Sequence, residues 1–377
     1  MYKEYGENSC RTYDIKFGDK SFKYHLYNDF ENFTERLFDL DDIDSFVILS
    51  DENIGRIYGR SIVNRIRKNY RCELIIFDCT EKSKNLTVLQ ELIEKVISLK
   101  ATRRTCIIGL GGGICGNMAG MVAALLFRGI KFIHIPTSLM AISDSVLSLK
   151  QAINSEYGKN LIGVFHTPEM VITSTQFLKS LPKKEIISGL CETIKNALTI
   201  LPESIEPLTG MLNDDCRYTW DNYRYFIEMS IKAKTQVMKN DAFEKKGALI
   251  LEYGHTIGHA IELADAGAIT HGEAIGLGML CAAEISHMLG HLSEKDVKIH
   301  RTLLEKAGAP TVIAENINPD TIVSILKYDN KRGYTPVEEG TVYMVLLDTI
   351  GKTFNDSLLT AVPMELVRQA INRMYRE

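Results

Sequence analysis

The stretch Gly109-Leu110-Gly111-Gly112-Gly113-Ile114-Cys115-Gly116-Asn117 decides the fold. It follows a β-rich run at 105–110 (TCIIGL) and opens a helix-like run. Gly111, Gly113 and Gly116 satisfy GxGxxG in the strand–turn–helix setting that this pattern needs. Glycines let the backbone approach a diphosphate, and a helix N-terminus offers unpaired N–H groups and a positive dipole end. A bare tight turn is the plain alternative, and the flanking elements favour a bound dinucleotide.

Outward from this turn, further β-rich runs stand at 45–50 (SFVILS), 72–77 (CELIIF) and 131–135 (KFIHI). Amphipathic stretches lie between them, such as 87–99 (TVLQELIEKVISL). Strands alternating with helices predict an α/β unit, a parallel sheet with helices on both faces. No acidic residue ends the strand after the glycine turn, where Ile135-Pro136-Thr137-Ser138 stands, so a plain dehydrogenase Rossmann unit is not the best match. Asp51 ends an earlier strand and is either a ribose contact or a helix cap. Residues 154–159 read as a turn between two extended segments.

After Pro182 the pattern changes to helical periodicity, at 184–200, 223–238, 247–266 and 273–289, with one late strand at 341–347. The expected organisation is therefore an α/β nucleotide-binding domain over 1–180 and a mainly helical domain over 181–377. A length of 377 residues suits two cores.

Composition excludes several classes. Lys and Arg total 44 against 48 Asp and Glu, for a net charge of −4, and no basic tract appears, so no nucleic-acid partner is expected. The first twenty residues lack the apolar core of a signal peptide. The longest apolar run, 121–127, falls far short of the ~20 residues of a membrane helix. Eight scattered cysteines include no CxxC pair, which fits a reducing, cytoplasmic setting.

The second half carries the metal-type chemistry. Glu252, His255 and His259 are spaced i, i+3, i+7, which on one continuous helix would share a face. His271-Gly272-Glu273 follows, and Glu192 and Lys195 form a charged pair inside an apolar helix. Two imidazoles and a carboxylate with open positions suit a catalytic divalent ion such as Zn2+. The alternative is surface histidines on amphipathic helices. The glycines beside these histidines weaken it, because each costs ~1 kcal/mol in a helix and usually has a packing or functional reason. Asp144, Lys150, Lys159, Asn160 and Lys234 recur near these motifs and suit a phosphate or polyhydroxylated ligand.

Taken in order, SDEN (50–53), Glu81-x-x-Lys84, GGGICGNMAG (111–120), FRG (127–129), IPTSLMAISDSVLSLKQAIN (135–154), GKNLIG (158–163), CETIKN (191–196), GHTIGHAIE (254–262) and HGEAIGLGM (271–279) resemble the sugar phosphate cyclase family. Its best-known member is 3-dehydroquinate synthase. The resemblance implies an N-terminal α/β domain that binds NAD and a C-terminal helical domain that binds metal and substrate. By that likeness Glu192, His255 and His271 are the ligands of a Zn2+ or Co2+ ion. His259 matches a histidine that contacts the phosphate and helps its elimination. Lys150, Asn160 and Arg128 match phosphate contacts, with Arg128 reaching across a homodimer interface. Lys195 and Lys234 match substrate-binding lysines, and Asp144 a polar residue beside cofactor and metal. Asp51, Glu81, Lys84, Gly112, Gly113, Thr137 and Ser138 match the NAD site, to which Asn117 and Lys159 are also assigned.

Departures from the dehydroquinate synthase pattern point to the substrate. Where those enzymes read LNxGHT with an Arg seven residues before the first metal histidine, this chain has Ala248 for the Arg and Glu252 for the Asn. In that family the Arg helps hold a substrate carboxylate. Its loss, with a carboxylate added at Glu252, disfavours an anionic group and suits a neutral hydroxyl. Asn117 replaces a usual Asp, and Lys331 in Asp329-Asn330-Lys331-Arg332-Gly333 is a further candidate substrate contact. Together Asn117, Glu252 and 329–333 resemble the members of the family that act on glucose 6-phosphate, and that resemblance implies this substrate, with Glu252 near a substrate hydroxyl and an accessory subunit as a further partner. The rivals are 3-dehydroquinate synthase itself, an NAD-linked metal-dependent alcohol dehydrogenase, and a binding module without catalysis.

Overall fold

The computed structural model describes residues 3–5, 9–30, 33–265, 267–326, 338–354 and 358–375. The chain divides into two units, Met1–Leu181 and Pro182–Glu377.

The first unit has strands β1 (Lys3–Tyr5), β2 (Cys10–Phe17), β3 (Lys20–Tyr27), β4 (Ser45–Ser50), β5 (Arg71–Ile76), β6 (Thr105–Gly111), β7 (Phe132–Pro136), β8 (Lys150–Ser155), β9 (Gly158–Phe165) and β10 (Met170–Ser174). Among the described residues, eight of them make one sheet in the order β1-β2-β3-β10-β7-β6-β4-β5. From β3 to β5 every pairing is parallel, while β1 and β2 are antiparallel at the edge. Both β4 and β6 are buried at every position, so they read as unbroken apolar runs rather than alternating ones. Helices α1 (Glu52–Ile54), α2 (Arg60–Ile66), α3 (Leu86–Ser98) and α4 (Gly113–Leu125) belong to this unit.

The strand order turns back at β4: β5 lies on one side of it, and β6 followed by β7 on the other. Ligands of open α/β sheets bind at such a switch point, beyond the strand carboxyl ends. Here those ends are followed by Asp51 and Gly112. The antiparallel hairpin β8–β9 is separate from the main sheet. Asn117 on α4 fastens it, since its Oδ1 accepts from the Ala152 N–H at 2.9 Å.

In the second unit α5 (Lys183–Thr199), α6 (Ile205–Met211), α7 (Trp220–Met238), α8 (His255–Ala264), α9 (His271–Met288), α10 (Glu294–Lys306), α11 (Pro319–Leu326) and α12 (Met364–Arg373) dominate. Two short ladders accompany them, β11 (Thr341–Met344) with β14 (Thr360–Pro363) and β12 (Leu347–Thr349) with β13 (Lys352–Thr353). The central helix α5 is buried at every residue from Ile186 to Thr199. Glycines set how closely α9 packs on its neighbours. A side chain at Gly272 would stand 2.0 Å from the Ser188 carbonyl oxygen, and one at Gly278 2.0 Å from that of Gly254.

One sequence expectation fails here. The helix predicted over 247–266 is broken: Gly247–Glu252 is a 3-10 turn, and α8 starts only at His255. Gly254 adopts φ +79°, a left-handed conformation that ends one element and starts the next. Glu252, His255 and His259 therefore do not share one continuous helical face.

No described helix is long and apolar enough to cross a membrane. All eight cysteines are free thiols.

Candidate functional site

In the first unit the glycine turn forms as its sequence implies. The Gly116 N–H closes onto the Gly112 carbonyl at 3.0 Å, starting α4. The missing side chain at Gly109 lets α4 lie against β6, where a Cβ would meet that of Ala119 at 2.9 Å. Gly112 and Gly113 leave a cradle. A Cβ at Gly112 would stand 3.6 Å from Ser138 Oγ, and one at Gly113 3.3 Å from Ser145 Oγ. Ser145 Oγ is buried with no hydrogen-bond partner, a polar atom left over beside the turn. The sequence reading missed Ser145, and only its position next to Asp144 pointed to it. An orphaned hydroxyl beside an open backbone turn at a helix N-terminus fits a phosphate-bearing cofactor.

Other predicted cofactor residues surround this turn or a neighbouring loop. Asp51 is the N-cap of α1, accepting from the Ile54 N–H at 2.9 Å, and its Oδ2 faces Gly111. Both openings left for Asp51 are thus compatible: one oxygen caps, the other lies toward the turn. The Thr137 N–H bonds the Gly111 carbonyl at 2.9 Å. Asn117 spends its side chain on structure, donating to the Gly113 carbonyl at 2.9 Å besides holding Ala152. Asp144 sits in the π-turn Ala141–Ser145. After β5 comes a loop whose Lys84 is buried and donates to Asn160 Oδ1 at 2.5 Å, while Glu81 Oε2 is 3.6 Å from Lys159 Nζ. Burial pushes the Lys84 ammonium pKa down, with the Glu81 charge opposing. Lys150 begins β8 and is exposed.

Arg128 stands apart from this group. It is exposed on the turn after α4, with φ +70° beside Phe127 at +51°. The 13 residues of α4 separate it from Gly112 by about 20 Å along the helix.

In the second unit three helices converge on one carboxylate. Glu192 on α5 is 1% exposed, and Lys195, one turn on, is 2% exposed and donates to Glu192 Oε2. The other oxygen, Oε1, is buried and has no hydrogen-bond partner. It lies 3.6 Å from His255 Nε2 and 3.9 Å from His271 Nε2. Ligand atoms in a tetrahedral shell with bonds of about 2.0–2.2 Å stand roughly 3.3–3.6 Å apart, so each of these two carboxylate–imidazole separations is close to that of donors sharing an ion. Each imidazole is also held from behind. His255 Nδ1 is 3.2 Å from the Tyr253 carbonyl, and His271 Nδ1 is 3.1 Å from Glu262 Oε2. Such contacts fix the tautomer and leave Nε2 for a metal.

His259 lies one turn after His255, and donor atoms of His255, His259 and His271 all fall within 4.8 Å of one another. Two overlapping triads are therefore available. The one with Glu192 brings in a negative charge and uses the orphaned, buried Oε1. Lys234 is buried on α7, one turn from Ser230, whose Oγ is 3.5 Å from Asn196 Nδ2 on α5. Glu252 ends the 3-10 turn before α8, half-buried. Ala248, where the dehydroquinate synthase pattern has Arg, is buried, and its N–H bonds Asp241 Oδ2 at 3.1 Å. Lys331 lies outside the described residues, as do Asp329, Asn330, Arg332 and Gly333.

A switch-point sheet with an open glycine turn, and a helical unit with an imidazole–carboxylate cluster, are the build of a dinucleotide-linked, metal-dependent enzyme. The chain belongs to the 3-dehydroquinate synthase family: the family's N-terminal domain matches residues 74–188 and its C-terminal domain residues 189–332. It is 45% identical over 332 residues to a 2-deoxy-scyllo-inosose synthase of Micromonospora echinospora, covering 88% of this chain and 84% of that relative. Among solved structures it resembles 2-deoxy-scyllo-inosose synthase complexed with carbaglucose-6-phosphate, NAD+ and Co2+, at TM-score 0.90 and 38% identity over 96% of this chain and 100% of that one. It also shares the fold of a 2-epi-5-epi-valiolone synthase from Streptomyces hygroscopicus subsp. jinggangensis 5008 solved with NAD+ and Zn2+, at TM-score 0.82 and 19% identity over 95% of this chain and 98% of that one.

Proposed function

We propose that this chain converts D-glucose 6-phosphate to 2-deoxy-scyllo-inosose and phosphate, using NAD and a divalent metal ion. The observation that carries this reading is the near-full-length likeness to enzymes of that name, one of them solved with a carbocyclic analogue of this substrate. Burial of Ala248 and the carboxylate at Glu252 support it over the dehydroquinate synthase alternative, whose anionic substrate group they disfavour.

The net change is loss of phosphate from C6 with closure of a C6–C1 bond, and no net redox, which makes the chain a carbon–oxygen lyase. When bound, NAD+ supplies a transient oxidation at C4 that is reversed within the turnover, and the metal supplies Lewis-acid polarisation of the C4 oxygen. Glu192, His255 and His271 would hold the ion, with Lys195 fixing the second oxygen of Glu192. In the first unit Gly112 and Gly113 open the backbone to the cofactor diphosphate. Asp51, Glu81, Lys84, Thr137, Ser138 and Lys159 line the remainder of the cofactor site, with Asp144 beside it and Asn117 shaping it through its bonds to Gly113 and Ala152.

Lys150 and Asn160 bind the substrate phosphate. Once C4 is a ketone, C5–H is acidic, and the phosphate leaves C6 as that proton departs. His259 holds or moves that proton as the general acid–base group. Lys195, Lys234 and Glu252 orient substrate hydroxyls for the ring opening and the aldol closure at C1. Arg128, exposed and a helix length from Gly112, acts on the site of a second copy, so a homodimer is the working assembly.

The test is incubation of the purified chain with catalytic NAD+ and Co2+ or Zn2+. One sample receives glucose 6-phosphate and another the heptulosonate phosphate of dehydroquinate synthases. Phosphate release and a deoxyinosose mass from the first sample alone are expected. Dehydroquinate from the second would overturn the substrate while keeping the family. Net NADH accumulation would instead mean a dehydrogenase.

A further inference from the structure

The hairpin β8–β9 is irregular at its tip. Ile153 pairs with Ile162 and Ser155 with Gly158, so Asn154 alone faces Lys159, Asn160 and Leu161. Asn160 accommodates the surplus at φ +57°. The ladder is broken there, and the side chain of Asn154 fills the break: its Oδ1 accepts from the Asn160 N–H at 2.9 Å.

The same side chain reaches the loop after β5. Asn154 Nδ2 donates to the Glu81 carbonyl at 3.2 Å, and the Asn154 backbone N–H donates to the Lys84 carbonyl at 2.8 Å. Lys84 completes a circuit through its own bond to Asn160 Oδ1. One half-buried amide thus fastens both a loop carrying Glu81 and Lys84 and a bulge carrying Lys159 and Asn160. An amide suits this place because it accepts at one end and donates at the other.

We infer that Asn154 is a positioning residue that couples the cofactor loop to the phosphate hairpin. This rests on the proposed reading of Glu81, Lys84 and Lys159 as cofactor contacts and of Asn160 as a phosphate contact. The two arms are separable. Asn154→Asp keeps the acceptor for the Asn160 N–H but sets an oxygen against the Glu81 carbonyl. Asn154→Ala removes both arms and leaves the backbone bond to Lys84.

The experiment measures, on the full chain, NAD+ affinity by calorimetry, KM and kcat for glucose 6-phosphate at saturating NAD+, and the urea midpoint. Asn154→Ala is expected to weaken NAD+ binding and raise KM about tenfold each, the size of one lost polar contact, with kcat little changed. Asn154→Asp is expected to weaken NAD+ binding by a similar factor while KM stays within about threefold. A lower urea midpoint with unchanged NAD+ affinity and KM would reduce Asn154 to a fold contact and overturn the inference. So would an Asn154→Asp that moves both constants equally. Lys84→Ala and Asn160→Ala serve as references. If they leave NAD+ affinity and KM unchanged, the underlying site reading is at fault. If they move those constants while both Asn154 variants do not, the coupling itself is wrong.

Discussion

Lys195 holds one oxygen of Glu192 by a buried ion pair, and this turns the other, Oε1, toward His255 Nε2 at 3.6 Å. A buried charge pair rarely stabilises a fold by itself, because desolvation offsets the attraction. Its presence in the helix core of the second unit is better explained by a cation at Oε1. Glu192→Gln keeps the volume and removes the charge. Expected is loss of stoichiometric Co2+ binding, read by metal analysis after gel filtration, with at least a hundredfold drop in phosphate release from glucose 6-phosphate. Full Co2+ retention in this variant would move the ion to the alternative set of His255, His259 and His271.

Glu262 tests the support behind the cluster. Its carboxylate lies 3.1 Å from His271 Nδ1, so it orients the ring and raises its basicity as a ligand. Glu262→Gln should weaken Co2+ affinity by roughly 10–100-fold, the usual effect of removing such a partner. Competition with a chelator of known affinity gives the constant directly. Unchanged affinity would mean that His271 does not bind the ion through Nε2.

How much of this was legible depended on range. Gly111, Gly113 and Gly116 could be read because the turn, its strand and its helix are contiguous in the chain. The buried runs of β4 and β6 were visible for the same reason. The pairing of β10 with β3 was not, since Val171 lies against Tyr24 across most of the first unit's sequence. In the second unit, spacing misled: i, i+3, i+7 placed Glu252 with His255 and His259 only if Gly254 were helical, and its φ of +79° breaks the helix. Glu192 owes its place to three helices packing through Gly272 and Gly278, a contact that no local pattern announces. The family resemblance supplied that link where periodicity could not.

Close helix packing makes its own prediction. At Gly278 an added Cβ would meet the Gly254 carbonyl oxygen at 2.0 Å and the Gly258 nitrogen at 2.7 Å, both backbone atoms that cannot swing aside. Gly278→Ala should therefore push α8 from α9, at a cost of about 1–3 kcal/mol. His255 rides on the first turn of α8, so Co2+ affinity should fall together with the melting temperature. Differential scanning calorimetry and a Co2+ titration check the pair. A variant that keeps both values would show that the two helices have room that the contact distances deny.

Acid sensitivity follows from three buried imidazoles. His300 is enclosed, with Nδ1 donating to the Asp296 carbonyl at 2.8 Å and Nε2 3.0 Å from the Tyr253 hydroxyl. That arrangement suits the neutral ring, and burial lowers its pKa from 6.5 to about 4. Burial likewise lowers His25 to about 4 and His134 to about 3. The unfolded chain takes up these protons near pH 6.5, whereas the native chain resists until much lower pH. Their contribution to stability is thus complete above pH 6.5 and is lost as pH falls toward 4, at up to about 1.4 kcal/mol per pH unit for each group. His300→Gln keeps polar capacity without a titrating ring. Its melting temperature should fall less between pH 6.5 and 4.5 than that of the parent chain, even if it starts lower. Parallel curves would mean that His300 takes up its proton as readily in the native protein as in the unfolded chain, and so adds nothing to the acid sensitivity.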